Sequence, residues 1–397
     1  MRGIDEDSAR PPQIGIHFGD DASRLYQLQQ WLPIFEQLND RRPVVVVTRR
    51  PEVYRVICAR TDLPAVCLPR FNQLMDFYAD AKLAVTLYVN NSRFNFQSLA
   101  DRSSMHIHVS HGESDKISMA SNQVKAYDRV FVAGEAAIRR FRRALLGPDL
   151  NRLVPIGRPQ LDLPVEPALP VSSRRTVLYA PTWEGEDESN NYTSVDRFGP
   201  QIVAASLALP NVRLVYRPHP RVWTTSNIDV RAAHRRILGL INSARKADPD
   251  AGHVIDRGLD LMGLFDVVDL MVVDVSSVAL DFLYRRTDAP LLLTDRRSDP
   301  ERLRRTTMLA ACVNVISNTT IPTVGELLAT ELATDVRTDD RHHARDIYFG
   351  GCAVGESTER FFTAIEDVLI DRNRLMVERD TVDASGDMGA DVLRMSS

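Results

Sequence analysis

Four short stretches of this chain carry residue types able to act on a phosphate ester. In His111-Gly112-Glu113-Ser114-Asp115-Lys116, an imidazole, two carboxylates and an amine lie close together. Histidine can serve as a general base near neutral pH. Glu113 or Asp115 would orient its ring, and Lys116 would add a point charge for an anion. Gly112 allows a sharp backbone turn. The same fragment also reads as a plain turn with a solvated histidine. In Arg217-Pro218-His219-Pro220, two prolines fix the backbone around a cation and an imidazole. Arginine grips phosphate oxygens through two parallel hydrogen bonds; a structural proline turn is the alternative. Tyr179-Ala180-Pro181-Thr182-Trp183 offers Thr182 and an aromatic wall, either to a ligand or to a core. Asp274-Val275-Ser276-Ser277 ends the apolar run Leu270 to Val273 and precedes a helical pattern. Serine and aspartate there cap a helix, and a helix start at the end of a strand points N–H groups and a dipole at an anion. Asp281 stands four residues before Arg285, the spacing of a surface ion pair.

Positioning these residues requires strands that end where they begin. Runs of β-branched and apolar residues predict strands at Ile14 to Phe18, Val44 to Thr48, Ala65 to Leu68, Leu83 to Val89, Met105 to Val109, Arg129 to Val132 and Leu153 to Ile156. A second series follows at Thr176 to Ala180, Val212 to Tyr216, His253 to Ile255, Leu270 to Val273, Pro290 to Leu293 and Cys312 to Ile316. Between them, periodicity predicts helices, among them Leu25 to Leu38 (interrupted by Pro33), Lys116 to Tyr127 with Ile117, Ala120, Val124 and Tyr127 on one face, and Glu135 to Leu146. Strands alternating with helices at this spacing make an α/β chain with parallel sheets. Leu163 to Arg175 holds Pro164, Pro167 and Pro170 and reads as a linker. The expected division is a tail at 1–12, an α/β unit at 13–162, the linker at 163–175, a second α/β unit at 176–355, a helix at 356–372 and a disordered tail at 380–397. Two such Rossmann-like units facing across a cleft would bring His111, Thr182, Arg217, His219 and Asp274 to Ser277 to strand ends, where ligands of open α/β sheets bind.

Composition excludes several classes. The 397 residues are 44% hydrophobic and 26% charged, as in a soluble globular protein. A net charge of −4 speaks against a nucleic-acid partner. Cys58, Cys67, Cys312 and Cys352 lack the close pairing of a zinc ribbon or thiol redox site. His106 and His108 share one strand face with His111 nearby, but without metal-ligand spacing, so neither metal nor cofactor is expected. A cytoplasmic setting is the default for a chain that opens without a signal peptide.

Taken in order, His-Gly-x-x-x-Lys at His111, Gly112 and Lys116, Tyr-Ala-Pro-Thr-Trp from Tyr179, Arg-Pro-His-Pro from Arg217 and Asp-x-Ser-Ser at Asp274, Ser276 and Ser277 resemble the CDP-glycerol glycerophosphotransferase family, which includes teichoic-acid primases and polymerases. The likeness spans roughly Ile107 to Asp295. Glu113-Ser114-Asp115 departs from it, standing where Thr-Pro-Leu or similar is expected. The resemblance implies a glycosyltransferase-B-like fold and transfer of an alditol phosphate from a CDP-linked donor to an acceptor hydroxyl of a cell-envelope glycan or teichoic-acid-like polymer, releasing CMP. His111 would be the base, typically worth about 10²–10⁴-fold in rate. Arg217, His219, Lys116 and the N–H groups at Ser276 and Ser277 would neutralise the diphosphate. A sugar transferase of the same fold with a nucleotide-sugar donor is the alternative; a binding protein would need neither histidine. A lipid-linked acceptor would place the chain at the inner membrane face. Glu135 to Leu146, with Arg139, Arg140, Arg142 and Arg143 opposite Ala137, Phe141, Ala144 and Leu145, reads either as a domain helix with its apolar face in the core and its arginines in water or as a basic amphipathic contact with that surface.

Overall fold

The computed structural model describes residues 11–116 and 119–394. Two wholly parallel sheets organise the chain. The first has seven strands: β1 (Ile14–Phe18), β2 (Val44–Thr48), β3 (Ala65–Cys67), β4 (Val85–Tyr88), β5 (Met105–His108), β6 (Arg129–Val132) and β7 (Leu153–Pro155). Their spatial order is β3-β2-β1-β4-β5-β6-β7. The second has six: β8 (Arg175–Ala180), β9 (Val212–Tyr216), β10 (Val254–Ile255), β11 (Leu270–Val273), β12 (Leu291–Thr294) and β13 (Asn314–Ile316), in the order β10-β9-β8-β11-β12-β13. Every strand expected from the sequence forms. The reason is visible in β2 and β11, whose residues are all buried, as strands with helices on both faces must be. Both sheets reverse direction beside their first strand, at β1/β4 and at β8/β11. Those reversals open a crevice at the carboxyl ends of the strands.

The helices depart from expectation in three places. Among the described residues between β5 and β6, the helix expected from Lys116 to Tyr127 is not found, and a 3-10 turn at Asn122–Ala126 that Ser121 caps through the Gln123 N–H lies in its place. Ile117 lies outside the described residues. The run Leu25 to Leu38 is broken as expected, into the helices Tyr26–Gln29 and Leu32–Arg41, but the break falls before Pro33, which sits in the first turn of the second helix, where its missing N–H costs nothing. The last helix runs from Glu356 to Arg394, through positions 380–394 that read as a tail; residues 1–10 and 395–397 lie outside the described residues.

That last helix returns to the first sheet. Phe361, Phe362, Ile365, Val368 and Leu369 join the core of β1, β2 and β4. Ion pairs Arg42–Glu366 (2.6 Å) and Arg129–Asp371 (2.9 Å) accompany them. The two halves also meet where the helix Glu135–Ala144 packs on the helix Thr338–Phe349. Gly134 makes this approach feasible, because a Cβ there would sit 2.5 Å from the Tyr348 carbonyl oxygen.

Candidate active site

Between the sheets lies a cleft of about 950 Å³, lined by His111, Lys116, Thr182, His219 and the helix start at Ser276 and Ser277. Gly112, Glu113 and Arg217 also reach it, whereas Asp115 and Asp274 do not. Residues remote in sequence are brought together because each follows a strand: β5, β8, β9 and β11.

His111 is largely withdrawn from solvent. Burial, together with the nearby Arg158 and Arg24 charges, lowers its pKa to about 4, against the Val89 carbonyl, which favours the charged ring. At neutral pH it is an uncharged imidazole. His219 has its Nδ1 occupied as acceptor of the Arg221 backbone N–H at 3.2 Å. Its proton in the neutral ring is therefore on Nε2, and burial, Lys116 and Arg221 lower its pKa to about 4. His219 is thus a neutral hydrogen-bond donor, packed beside Trp183, whose other neighbour is the Arg221 guanidinium at 4.1 Å. Lys116 lies 5.6 Å from the Tyr192 ring centroid, and burial lowers its pKa while the Asp274 charge opposes that shift.

Asp274 acts beneath the surface. It is fully buried, accepts the Thr182 N–H at 2.7 Å and the Ser194 N–H at 3.2 Å, and takes the Thr294 hydroxyl at 2.5 Å. One carboxylate thus ties the loop after β8 to the end of β11 at the reversal point. Burial raises its pKa to about 6 in spite of those bonds. Ser276 is the N-cap of the helix Ser277–Arg285, yet its side chain makes no cap bond. Its Oγ is buried without a hydrogen-bond partner, facing the first turn of a nine-residue helix. A buried hydroxyl in that state is costly unless a ligand answers it.

Four expectations are corrected by the geometry. Glu113 and Asp115 do not orient His111. They share the buried Arg140, at 2.5 Å and 3.4 Å, and Asp115 also accepts from Thr307 and Tyr348 in the other half. Arg140 accordingly leaves the polar face that helical periodicity assigned to it. The nearest of its neighbours, Arg139, pairs with Glu135, and Arg143 donates to the Arg305 carbonyl. Asp281 is no surface partner of Arg285: it is buried and pairs with Arg158 at 3.2 Å, while Arg285 faces Asp266. Arg217 lines the cleft, but its Nη1 is held by Asp256 and by the Leu259 carbonyl at 2.6 Å, so that nitrogen anchors the 256–260 loop instead of waiting for phosphate.

Arg158 was missed by sequence reasoning. It is buried, lines the cleft and balances Asp281. The signal was there in Gly157-Arg158-Pro159 at the end of β7. Gly157 has φ +73°, and a Cβ on it would meet Ser357 Oγ at 2.0 Å. His106 and His108 are core residues: His106 bonds Tyr88 Oη at 2.8 Å, and His108 stacks on Tyr127.

With this geometry in place, the comparisons are informative. The sequence model described as CDP-glycerol:poly(glycerophosphate) glycerophosphotransferase matches residues 77–293, more than half of the chain. No curated protein matches by sequence. Among solved structures, the wall teichoic acid polymerase TagF, from a crystal soaked with CDPG, is 14% identical with a TM-score of 0.56, covering 92% of this chain and 91% of that one. A putative UDP-N-acetylglucosamine 2-epimerase from Listeria monocytogenes is 14% identical with a TM-score of 0.61, covering 91% and 98%. MurG from Acinetobacter baumannii is 10% identical with a TM-score of 0.53, covering 90% and 100%. At such identities the structural likenesses speak for the fold alone, which is glycosyltransferase-B-like. The sequence match goes further: this chain belongs to the CDP-glycerol:poly(glycerophosphate) glycerophosphotransferase family and is a transferase of that class.

Proposed function

We propose that the cleft moves glycerol phosphate from CDP-glycerol to a hydroxyl of a cell-envelope glycan or teichoic-acid-like polymer. The observation that carries this reading is the shared cleft of about 950 Å³, which holds a neutral imidazole on one wall and a donor imidazole beside a helix start without a side-chain cap on the other. The acceptor oxygen attacks the phosphorus bonded to glycerol. His111 takes the hydroxyl proton, the P–O bond to CMP breaks, and CMP leaves with the bridging oxygen. Charge on the diphosphate is met by Lys116, the His219 Nε2–H, the Ser276 hydroxyl and the Ser277 N–H, groups fixed in place before substrate arrives. Thr182 borders the same donor pocket, Asp274 holds its two loops in register, and Arg217 keeps the 256–260 loop in place.

A donor panel tests the reading. CDP-glycerol, CDP-ribitol and UDP-sugars are incubated with lipid-linked saccharide acceptors, and the nucleotides released are identified. CMP from a CDP-alditol is the expected product. Release of UDP from a UDP-sugar, with CDP-alditols inert, would establish the sugar-transferase alternative.

The proposed acceptor is lipid-linked, and with it goes a peripheral seat at the inner face of the membrane. Among the described residues no helix is long and apolar enough to cross one. With Arg140 buried, the helix Glu135–Ala144 is a poor candidate for the contact. The rim at the carboxyl ends of β1 to β4 suits it better, since Tyr26, Phe71 and Phe96 are each about half exposed there, interspersed with the exposed Arg24, Arg50, Arg70 and Arg93. Each cation near an anionic surface adds about 1 kcal/mol. Sedimentation with anionic vesicles should therefore weaken when Arg50, Arg70 and Arg93 become glutamine. Equal binding to neutral vesicles would remove the rim from the account.

A further inference from the structure

At the reversal point of the first sheet, a chain of buried amides connects a carboxylate to the proposed base. Asp20 follows β1, Asn90 follows β4, and Gln27 lies between them; all three are buried. Asn90 Nδ2 donates to Asp20 Oδ2 at 3.0 Å and to Gln27 Oε1 at 2.8 Å. Gln27 Nε2 contacts Tyr26 Oη at 3.2 Å and His111 Nε2 at 3.4 Å.

The direction of every bond in this chain follows from its first member. A carboxylate only accepts, so the Asn90 atom facing Asp20 is its NH₂ group. That same NH₂ faces Gln27, which must answer with its carbonyl oxygen. Gln27 then has only N–H groups left for His111, and Nε2 of His111 has to be the unprotonated nitrogen. Asn95 holds the Asn90 backbone in place by donating to its main-chain carbonyl at 2.7 Å and also donates to Tyr127 Oη at 2.9 Å.

We infer that Gln27, held by Asn90 and Asp20, is a positioning residue that keeps the lone pair of His111 on Nε2 and marks the place of the acceptor hydroxyl. The inference rests on His111 being the base. At 3.4 Å the amide contact is longer than a good hydrogen bond, so a hydroxyl donating to the same nitrogen displaces it readily. Tyr26 Oη then keeps the released Gln27 N–H. The charged or titratable groups facing the ring are Arg158, Arg24, His108 and Tyr26, and none of them is an acceptor-only group that would place a proton on Nε2.

The test joins kinetics to spectroscopy. In Gln27→Glu a carboxylate replaces the N–H, draws a proton onto Nε2 and moves the acid limb of the kcat profile up by about 1–3 pH units. In Gln27→Leu the limb stays where it is in the parent, while kcat falls and the KM for CDP-glycerol does not change. Nitrogen-15 spectra of the histidine-labelled parent protein, with His111 assigned through His111→Ala, should show Nδ1 protonated and Nε2 bare at pH 7. This reading requires no variant of Gln27 to fold. An Nε2–H tautomer, or an acid limb that Gln27→Glu leaves in place, overturns the inference. Retained turnover in His111→Ala would instead overturn the base assignment beneath it.

Discussion

Replacing His111 with alanine lowers turnover by about 10²–10⁴-fold, the usual worth of a positioned general base, while leaving the fold intact. The ring lies on a cleft wall and not in any of the hydrophobic clusters, so its loss removes chemistry before packing. His219→Ala costs at least about 10²-fold, in the range of one lost charge-stabilising donor. The two histidines are separated by their glutamine variants. His219→Gln keeps an N–H donor and regains part of the activity; His111→Gln has no basic nitrogen and regains none. The pH profile follows from the same groups. The active form of His111 is neutral, and its pKa is lowered to about 4, so the limb that His111 contributes lies near pH 4, below the step near 6 at which Asp274 takes up a proton and its hold on the two loops weakens. A His111→Ala enzyme with near-normal turnover would remove His111 from the mechanism.

Arg140→Met has the largest expected effect on stability. The side chains of Glu113 and Asp115, only 6% and 9% exposed, both lie against this one guanidinium. Removing a single partner from a buried ion cluster costs about 3–5 kcal/mol, because the remaining charge has no water to replace the lost cation. Burial already pushes the Glu113 pKa up, so proton uptake by Glu113 limits the penalty. The double variant Arg140→Met with Glu113→Gln should accordingly recover part of the loss. Turnover suffers too, since Asp115 ties the His111 loop to Thr307 and Tyr348 across the halves. Urea unfolding of the three proteins checks this. A loss under about 1 kcal/mol for Arg140→Met, the size of an exposed pair, would mean that the cluster is not what locks the loop.

The sequence was most legible where one physical rule acts alone. Strands such as Val44–Thr48 and Leu270–Val273 are buried on both faces, and a run of β-branched and apolar residues has few other uses. The motifs were legible because each ends such a strand, which is enough to bring His111, His219 and Ser277 to one cleft. Side chains whose partners are remote in sequence were not legible. Helical spacing offers Asp281 only Arg285, whereas its partner Arg158 comes from the end of β7. The same rule puts Arg140 among three other arginines in water, and Glu113 and Asp115 outweigh it. The segment after Lys116 has helical periodicity at Ala120, Val124 and Tyr127, yet Ser121 starts a 3-10 turn that delivers Tyr127 to the core beside Tyr88. Gln27 carries no signal in sequence at all, because its role depends on two loops that meet only when β1 and β4 pair.

The most direct test of the account is a structure of this protein with CDP-glycerol bound. It should place the diphosphate within hydrogen-bond reach of the Ser277 N–H and His219 Nε2, with the glycerol-bearing phosphorus turned towards His111. A diphosphate more than about 6 Å from Ser276 and Ser277, beyond direct hydrogen bonding, would contradict it.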